Sequence, residues 1–445
     1  MALPILYADT GGHAQGSGST DSPTPTASNT SGASVSGTTV TIAGANLSGV
    51  LADGSQTIYI ADATNSNRKL FKIIAVDDGA DTVTVDVAPT GTISNSAWGI
   101  GGQFVYDSAI LESAMAAGWT LQFNNSPAAK SGTFFTARAS GNATDGLVRV
   151  IGKAGVRPVL TVTGANNVIV TGGGLGGWHF ENLEFAQQAA SGDVCNAGSS
   201  SAITFLNCKI SDGGGHGFLT SQGGRVIMCE VSGIGGDGIL VDRGLAFGNH
   251  VHDIGGSGIR INSNSGGQII NNLIDTCAGR GIYLAATPNN LDALFSVIGN
   301  TVYGCGDSGL QVDDADTQVA LYNNIFSENG NAAGEYNVEW VAGDAQKLSH
   351  NGYNLLYHPG TGGAANALNF TPNSTEPTSD PLFTDAANGN FSLGSSSPAK
   401  AAGYPGQFLG GPLGYMDIGA VQRQEPTGGG GGSGGARVIG GTVVR

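Results

Sequence analysis

Between residues 205 and 326, apolar and polar positions recur with a short period. The segments LNCKIS, IMCEVS, FGNHVH, INNLID, IGNTVY and YNNIFS align so that one column holds Cys208, Cys229, Asn249, Asn272, Asn300 and Asn324. Two residues on, the next column is apolar: Ile210, Val231, Val251, Ile274, Val302 and Phe326. Each segment but the last is followed by a second one, HGFLT, DGILV, SGIRI, RGIYL or SGLQV. The glycines of that second segment are Gly217, Gly238, Gly258, Gly281 and Gly309, spaced 21, 20, 23 and 28 residues apart. Alternation with period two marks both segments as strands. A two-strand unit of this size cannot bury its own apolar side chains, so successive units must stack.

The pattern therefore predicts a solenoid whose parallel strands lie about 4.8 Å apart. The Asn/Cys column becomes a ladder at a bend, where stacked amides satisfy one another and Cys is a small apolar substitute. The Gly column is expected to supply backbone conformations that a Cβ disfavours. A leucine-rich repeat does not fit, because Leu at fixed offsets and helical return segments are both missing.

Outside the repeat the pattern changes. Residues 1–32 are rich in Gly, Ser, Thr and Asn, with one apolar stretch from Leu3 to Tyr7. Residues 33–104 alternate again in runs at 39–42, 57–60, 70–74 and 82–87, with a hairpin signal at Asp77-Asp78-Gly79-Ala80-Asp81. They predict a small antiparallel β module. Residues 105–119 hold one amphipathic helix, Ser108 to Ala117, ended by Gly118. The repeat region spans 120–422. Residues 423–445 are a linker, glycine-rich from Gly428 to Gly435, followed by a β-prone peptide containing Val438, Ile439, Val443 and Val444. Such a peptide can add to a sheet edge on another subunit.

Composition changes this picture in one respect. Glycine supplies 75 of 445 residues, where average usage is about 7%. Hydrophobic residues at 40% suffice for a core, while charged residues at 12% leave little for exposed helices. The glycines thus belong to turns of an ordered coil. The formal net charge of −16 repels nucleic acid and anionic membrane. No run of about 18 apolar residues is present, so no membrane insertion is expected. The opening MALPILYADTGGHAQ lacks a basic region ahead of a long apolar one, so no export signal is expected. Five cysteines, an odd number without a CxxC pair, suggest neither a disulfide framework nor a zinc site.

Over roughly residues 120–422 the repeat resembles the right-handed parallel β-helix superfamily of pectate-lyase-like proteins. Tyr7-Ala8-Asp9 and the Gly/Ser/Asp run after it look like the opening of many such proteins, which continue into a helix plugging the N-terminal end of the coil. That resemblance implies that Ser108–Ala117 is the plug and that the β module is an insertion. Asp380-Pro381-Leu382-Phe383, Asn390-Phe391-Ser392-Leu393, Ser397-Pro398-Ala399, Ala402-Gly403 and Asp417-Ile418-Gly419-Ala420-Val421-Gln422 resemble the closing signature of bacterial and phage β-helix proteins. Lys400-Ala401, in place of the usual charged residue after the SPA element, is a mild departure from it. The implied role is a final turn capping the open end of the core. The expected fold is all-β: a right-handed parallel β-helix solenoid with an N-terminal helical cap and a small inserted antiparallel β module.

The resemblance implies polysaccharide binding or cleavage along an outward strand face. Around the Gly column, Phe218/Thr220, Ile239/Val241, Ile259/Ile261, Ile282/Leu284 and Leu310/Val312 are expected to point inward. The outward candidates for glycan contact are His216, Arg260, Arg280, Tyr283, Gln311 and Asp313. A glycoside hydrolase needs two carboxylates about 5.5 Å or 6.5–9.5 Å apart. Asp237 and Asp242 are the weak catalytic candidates, five residues apart on one strand. Asp242 and Asp313 are three coils apart, about 14 Å by strand spacing, so no clean pair emerges. Asp313-Asp314-Ala315-Asp316 is the densest acidic run. Ca²⁺ takes about six to eight oxygens, so a solvated bend is expected there and no cofactor, with Ca²⁺ as the one alternative. A second outward face carries Lys209, Glu230, His250, Leu273 and Thr301, with His252, Asp253 and Asp275 beyond. Only His250 and His252 share a face, so a surface cluster rather than a metal site is expected.

These features favour a non-enzymatic surface protein of a tailed bacteriophage: capsid decoration, head fibre or tail-associated. Virion proteins assemble in the host cytoplasm and need no export signal. Its expected partners are other virion proteins and host cell-surface polysaccharide, with the chain itself a homo-oligomer, a trimer favoured. A polysaccharide lyase, glycoside hydrolase or tailspike depolymerase is the alternative, and an extracellular bacterial adhesin the third reading.

Overall fold

The alternating segments form strands in the computed structural model, which describes residues 5–13, 20, 22, 25–63, 70–101, 103, 118–137, 140–141, 146–164, 166–171, 175–188, 191–198, 202–262, 266–285, 294–314, 317–331, 334–341, 348–361, 366–404, 416–422 and 437–438. The chain divides into two units, residues 1–186 and 187–445.

In the first unit, Ile5–His13 pairs in parallel with Thr120–Phe123, which pairs with Val148–Gly152 and onward to Trp178–Glu181. The opening strand is therefore already part of the coil, and the residues between it and Thr120 are an insertion. That insertion contains a closed antiparallel barrel of six strands, in the order Ala27–Ser36, Thr39–Ile42, Thr82–Val85, Leu70–Asp77, Thr57–Ile60, Ser94–Ile100. It opens at Ala27, upstream of the expected boundary at residue 33. The alternation that predicted it fills its core, where Val40, Ile42, Ile58, Phe71, Ile73, Val83 and Ile100 are fully buried. Closure leaves the barrel no free edge. The Asp77–Asp81 hairpin forms as expected, with Val76 opposite Val83. The capping helix predicted over Ser108–Ala117 lies outside the described residues.

In the second unit each coil carries three strands, not two. Arg225–Ile227, Glu230–Ile234 and Ile239–Val241 make up one coil. The third strand was hidden inside the repeat segment itself. In IMCEVS, the chain leaves one sheet at Ile227, turns at Met228-Cys229 and enters the next at Glu230. The residue before each ladder position takes the left-handed conformation: Asn207, Met228, Gly248, Asn271, Gly299, Asn323 and Tyr353, with φ between 50° and 67°. One such residue turns the chain sharply enough that a two-residue bend separates two sheets. The three parallel sheets are named below by position. The ladder sheet follows the Asn/Cys column, from Lys209–Asp212 to Leu355–Tyr357. The glycine sheet follows the Gly column, from Cys195–Ala197 to Ala367–Leu368. The third runs from Thr204–Leu206 to Leu348–Gly352.

The predicted ladder forms and extends further than the repeat suggested. Asn249 donates its Nδ2 to Asn272 Oδ1 at 2.8 Å, Asn272 to Asn300 and Asn300 to Asn324 at 2.9 Å, and Asn324 to Asn354 at 2.9 Å. Asn354 donates to Glu376 Oε1 at 2.6 Å, which ends the column. At the other end Cys229 and Cys208 continue it with sulfur in place of amide oxygen. All five cysteines are free and buried, and burial pushes the Cys195 thiol up. A second ladder, Cys305–Asn329–Asn337, runs beside the first.

The Gly column has a different cause from the one expected. None of Gly217, Gly238, Gly258, Gly281 and Gly309 has a positive φ. A Cβ at Gly238, Gly258, Gly281 or Gly309 would instead stand 2.6–2.8 Å from the carbonyl oxygen of the next coil. Close approach of stacked backbones, not backbone twist, requires glycine here.

The closing signature also differs from its expected role. Phe383, Phe391, Leu393, Ala399, Ile418 and Val421 pack on Leu273, Tyr303, Ile325, Leu355 and Tyr357, which are outward residues of the ladder sheet. Gly419 donates its N–H to Asn323 O at 2.7 Å and Ala420 to Thr301 Oγ1 at 3.0 Å. The segment covers a flank of the coil rather than closing its end. The core ends instead with Phe370 stacked 6.3 Å from Trp340 and with Glu376 on the ladder.

Candidate functional site

The glycine sheet places the predicted residues in two outward rows. Leu219, Leu240, Arg260, Tyr283, Gln311 and Glu339 stand in strict register across successive strands. At the bend entering each strand lie Asp193, His216, Asp237, Ser257, Arg280 and Ser308. The inward positions are buried as expected.

The bend row is a ladder of its own. His216 N donates to Asp193 Oδ1 at 3.1 Å, Asp237 N to His216 Nδ1 at 3.1 Å, and Ser257 N to Asp237 Oδ1 at 2.8 Å. Asp237 is 7% exposed, and its Oδ2 faces His216 Nδ1 at 3.5 Å and Arg260 Nη1 at 3.4 Å. Both oxygens of this carboxylate thus have structural partners. Asp242 stands apart: its Oδ1 is buried with no hydrogen-bond partner among the described residues. The pairing register places Asp242 three coils from Asp313, as the spacing predicted.

Four of the candidates close into a circuit. The Arg280 guanidinium lies 4.5 Å from the Tyr283 ring centroid, and its Nε donates to Gln311 Oε1. Gln311 Nε2 donates to Asp313 Oδ1 at 2.7 Å, and Tyr283 Oη to Asp313 Oδ2 at 2.5 Å. Arg260 adds a second guanidinium 5.1 Å from the same ring. Cation–π contact and charge-assisted hydrogen bonds fix all of these planar groups before any ligand arrives. Burial and the neighbouring Asp313 carboxylate push the Tyr283 phenol up, so it remains a neutral donor. The face can offer planar hydrogen-bonding groups around an aromatic ring, which is chemistry suited to saccharide hydroxyls.

Asp307, Glu335 and Glu339 of this face escaped the sequence reading. Asp307 pairs with Arg280 at 3.4 Å, and Ser308 Oγ donates to Glu339 Oε2 at 2.5 Å. Burial, together with Asp307 and Glu339, raises the Glu335 carboxyl above its usual range. Their signal was the coil register, which places Glu339 one strand beyond Gln311.

The second outward face gathers its charges as predicted. Lys209 Nζ meets Glu230 Oε1 at 2.9 Å, and the His250 and His252 rings lie 4.4 Å apart. His250 Nε2 meets Asp275 Oδ2 at 3.0 Å, and His252 Nδ1 meets Asp253 Oδ2 at 2.8 Å. His252 and Lys209 hold the Glu230 carboxyl down to about 2. Glu230, with Asp253, raises His252 in return. Among the described residues no group of three or more His, Cys, Asp or Glu is arranged to hold a metal ion. Asp313 has a side-chain donor on each oxygen, and Asp316 of the same acidic run lies outside the described residues. Of the tail candidates, Val438 lies in the strand Arg437–Val438, antiparallel to Val421–Gln422. Ile439, Val443 and Val444 lie outside the described residues.

The architecture places the chain in a fold class, and a family model agrees over part of its length. The family model described as the right-handed β-helix region matches residues 161–296 and 218–357. The fold of this chain is a parallel β-helix. Among solved structures it is similar to the A-module of the Azotobacter vinelandii mannuronan C-5 epimerase AlgE4, with TM-score 0.36, 14% identity, and coverage of 50% of this chain and 72% of that one. It is similar also to the Dettilon tailspike protein, with TM-score 0.38, 14% identity, and coverage of 59% of this chain and 57% of that one. A third is the A-module of the Azotobacter vinelandii mannuronan C-5 epimerase AlgE6, with TM-score 0.33, 14% identity, and coverage of 56% and 80%. No curated protein matches the chain.

Proposed function

We propose that this chain is a non-enzymatic surface protein of a tailed-bacteriophage virion, a capsid decoration, head fibre or tail-associated protein, whose glycine-sheet face binds host cell-surface glycan. The observation that carries the glycan reading is the pre-ordered circuit of Arg280, Tyr283, Gln311 and Asp313 with Arg260 beside it. Rigid planar groups lose little entropy on binding, which favours recognition of flexible polyols. The engagement of both Asp237 oxygens in the bend ladder supports binding over turnover. The net charge of −16 supports the expectation of no nucleic-acid partner. Attachment to other virion proteins, and association into a homo-oligomer with a trimer favoured, fall to the glycine-linked tail, whose Arg437–Val438 strand already pairs with a short strand, Val421–Gln422.

A second reading, a polysaccharide-degrading enzyme, draws on Asp242, whose buried and unpartnered Oδ1 is unusual enough to need an explanation. One experiment separates the two. The purified chain is incubated with host capsule and lipopolysaccharide, and both retention and reducing ends are measured. Retention without new reducing ends is expected. Chain cleavage that disappears in Asp237→Ala or Asp242→Ala would sink the non-enzymatic reading.

A further inference from the structure

We infer that the glycine-sheet face takes a neutral saccharide and discriminates against uronic and sialic acids, an inference that rests on the glycan reading above. The argument is one of charge placement. A carboxylate-bearing sugar is ordinarily recognised by a guanidinium with free donors aimed at it. Both guanidiniums of this face already have acidic partners within the protein. Arg260 pairs with Asp237 and Arg280 with Asp307, each at 3.4 Å. Arg280 also donates its Nε to Gln311.

Beyond those pairs, the face carries Asp313, Glu335 and Glu339. Asp313 is held by two neutral donors, Tyr283 and Gln311, and Glu339 by the neutral Ser308 hydroxyl. Among the described residues the arginine ion pairs of this face go to Asp237 and Asp307 and not to these three, though the Arg280 charge reaches Glu335. Burial raises the Glu335 carboxyl above its usual range, the Asp307 and Glu339 charges add to the rise, and Arg280 offsets part of it. A uronate or sialate arriving here meets surplus negative charge, and each guanidinium it could approach already stands beside a carboxylate of the protein. A neutral sugar meets carboxylate and carboxamide oxygens that accept from its hydroxyls, and guanidinium N–H groups that donate to them.

The test is a binding panel with the full chain, run in EDTA so that no divalent cation bridges carboxylates. Dextran, mannan and neutral lipopolysaccharide O-chains are compared with polygalacturonate, alginate and polysialate. Neutral members should bind at least about tenfold more tightly than acidic ones, the penalty expected when like charges are juxtaposed. That ratio should shrink as salt is raised. It should shrink also in a Glu335→Gln/Glu339→Gln variant, while Tyr283→Ala loses binding of all members with an unchanged thermal midpoint. Binding of any acidic member as tightly as the neutral ones would overturn this inference and leave the glycan reading standing. Failure of every member to bind would instead overturn the glycan reading.

Discussion

At Asn300 a single side chain serves three coils. Its Nδ2 donates to Ile269 O at 2.8 Å and to Asn324 Oδ1 at 2.9 Å, and its Oδ1 accepts from Asn272 N and Nδ2, both at 2.9 Å. All of these groups are buried, so none can turn to water when a partner is removed. Asn300→Ala leaves the Asn272 donors and the Ile269 carbonyl unpaired inside the core. It should cost about 3 kcal/mol, given roughly 1–3 kcal/mol for each buried group left unsatisfied and partial relaxation around them. Asn300→Cys should cost less, because Cys229 already accepts the Cys208 N–H in the same column at 3.4 Å. Unfolding of the two variants under one denaturant tests the ranking. Equal losses would show that sulfur is not a working substitute for the amide oxygen at this bend.

At the scale of one sheet, the outward face of the ladder sheet changes character along its length. The register runs Lys209, Glu230, His250, then Leu273, Thr301, Ile325 and Leu355. The apolar half lies under the closing segment, and the charged half remains open to solvent. The charged half should make stability depend on pH at both ends. Glu230 has a folded value of about 2 against a usual 4.5, so its contribution is present above 4.5 and lost as pH falls toward 2. His252 is raised above its usual 6.5, so its contribution is complete below 6.5 and lost as pH rises through the higher folded value. Glu230→Gln should remove the acid limb due to this residue and lower the His252 titration. The thermal midpoint should then fall less between pH 6 and 9 than in the wild type. Scanning calorimetry from about pH 2 to 9, with histidine NMR titration, checks both limbs. An unchanged His252 titration in Glu230→Gln would mean that Asp253 and Asp275 alone hold the cation. Much of this sheet was legible beforehand, because the Asn/Cys column and the apolar column two residues on are set by stacking. The third strand was not, since its bend residue needs only a left-handed backbone, met alike by Asn207, Met228, Gly248 and Tyr353. The ladder rungs at Asn354 and Glu376 were hidden by insertions that break the period. In the site, outward positions followed from alternation, but the Arg280–Gln311–Asp313–Tyr283 circuit depends on side-chain reach between neighbouring coils, which spacing alone does not encode.

At the scale of the whole molecule, the two ends of the closing region differ in what they hold. Residues 380–422 bury Phe391, Ile418 and Val421 against the coil, together with hydrogen bonds to Asn323 and Thr301. Each large apolar side chain buried in this way contributes about 1.5–3 kcal/mol, and the flank beneath would otherwise expose Leu273, Ile325 and Leu355 to solvent. By contrast, the described tail beyond residue 422 joins the rest of the chain through one two-residue antiparallel pair, Val421 with Val438 and Gln422 with Arg437. A pairing that short is marginal on its own. Under the proposal above, the tail adds little to the coil and exchanges this pairing for a neighbour's edge strand. Ending the chain at residue 422 should leave the thermal midpoint within about 2 °C of the full chain, less than the roughly 2–4 °C that 1 kcal/mol moves a domain of up to about 250 residues. The same truncation should abolish self-association in sedimentation and incorporation into particles. Ending it at residue 379 should instead lower the midpoint sharply and expose surface that binds apolar dyes. If the truncation at 422 assembles as the full chain does, the tail is not the attachment element, and the inserted barrel of residues 27–100 becomes the segment to remove next.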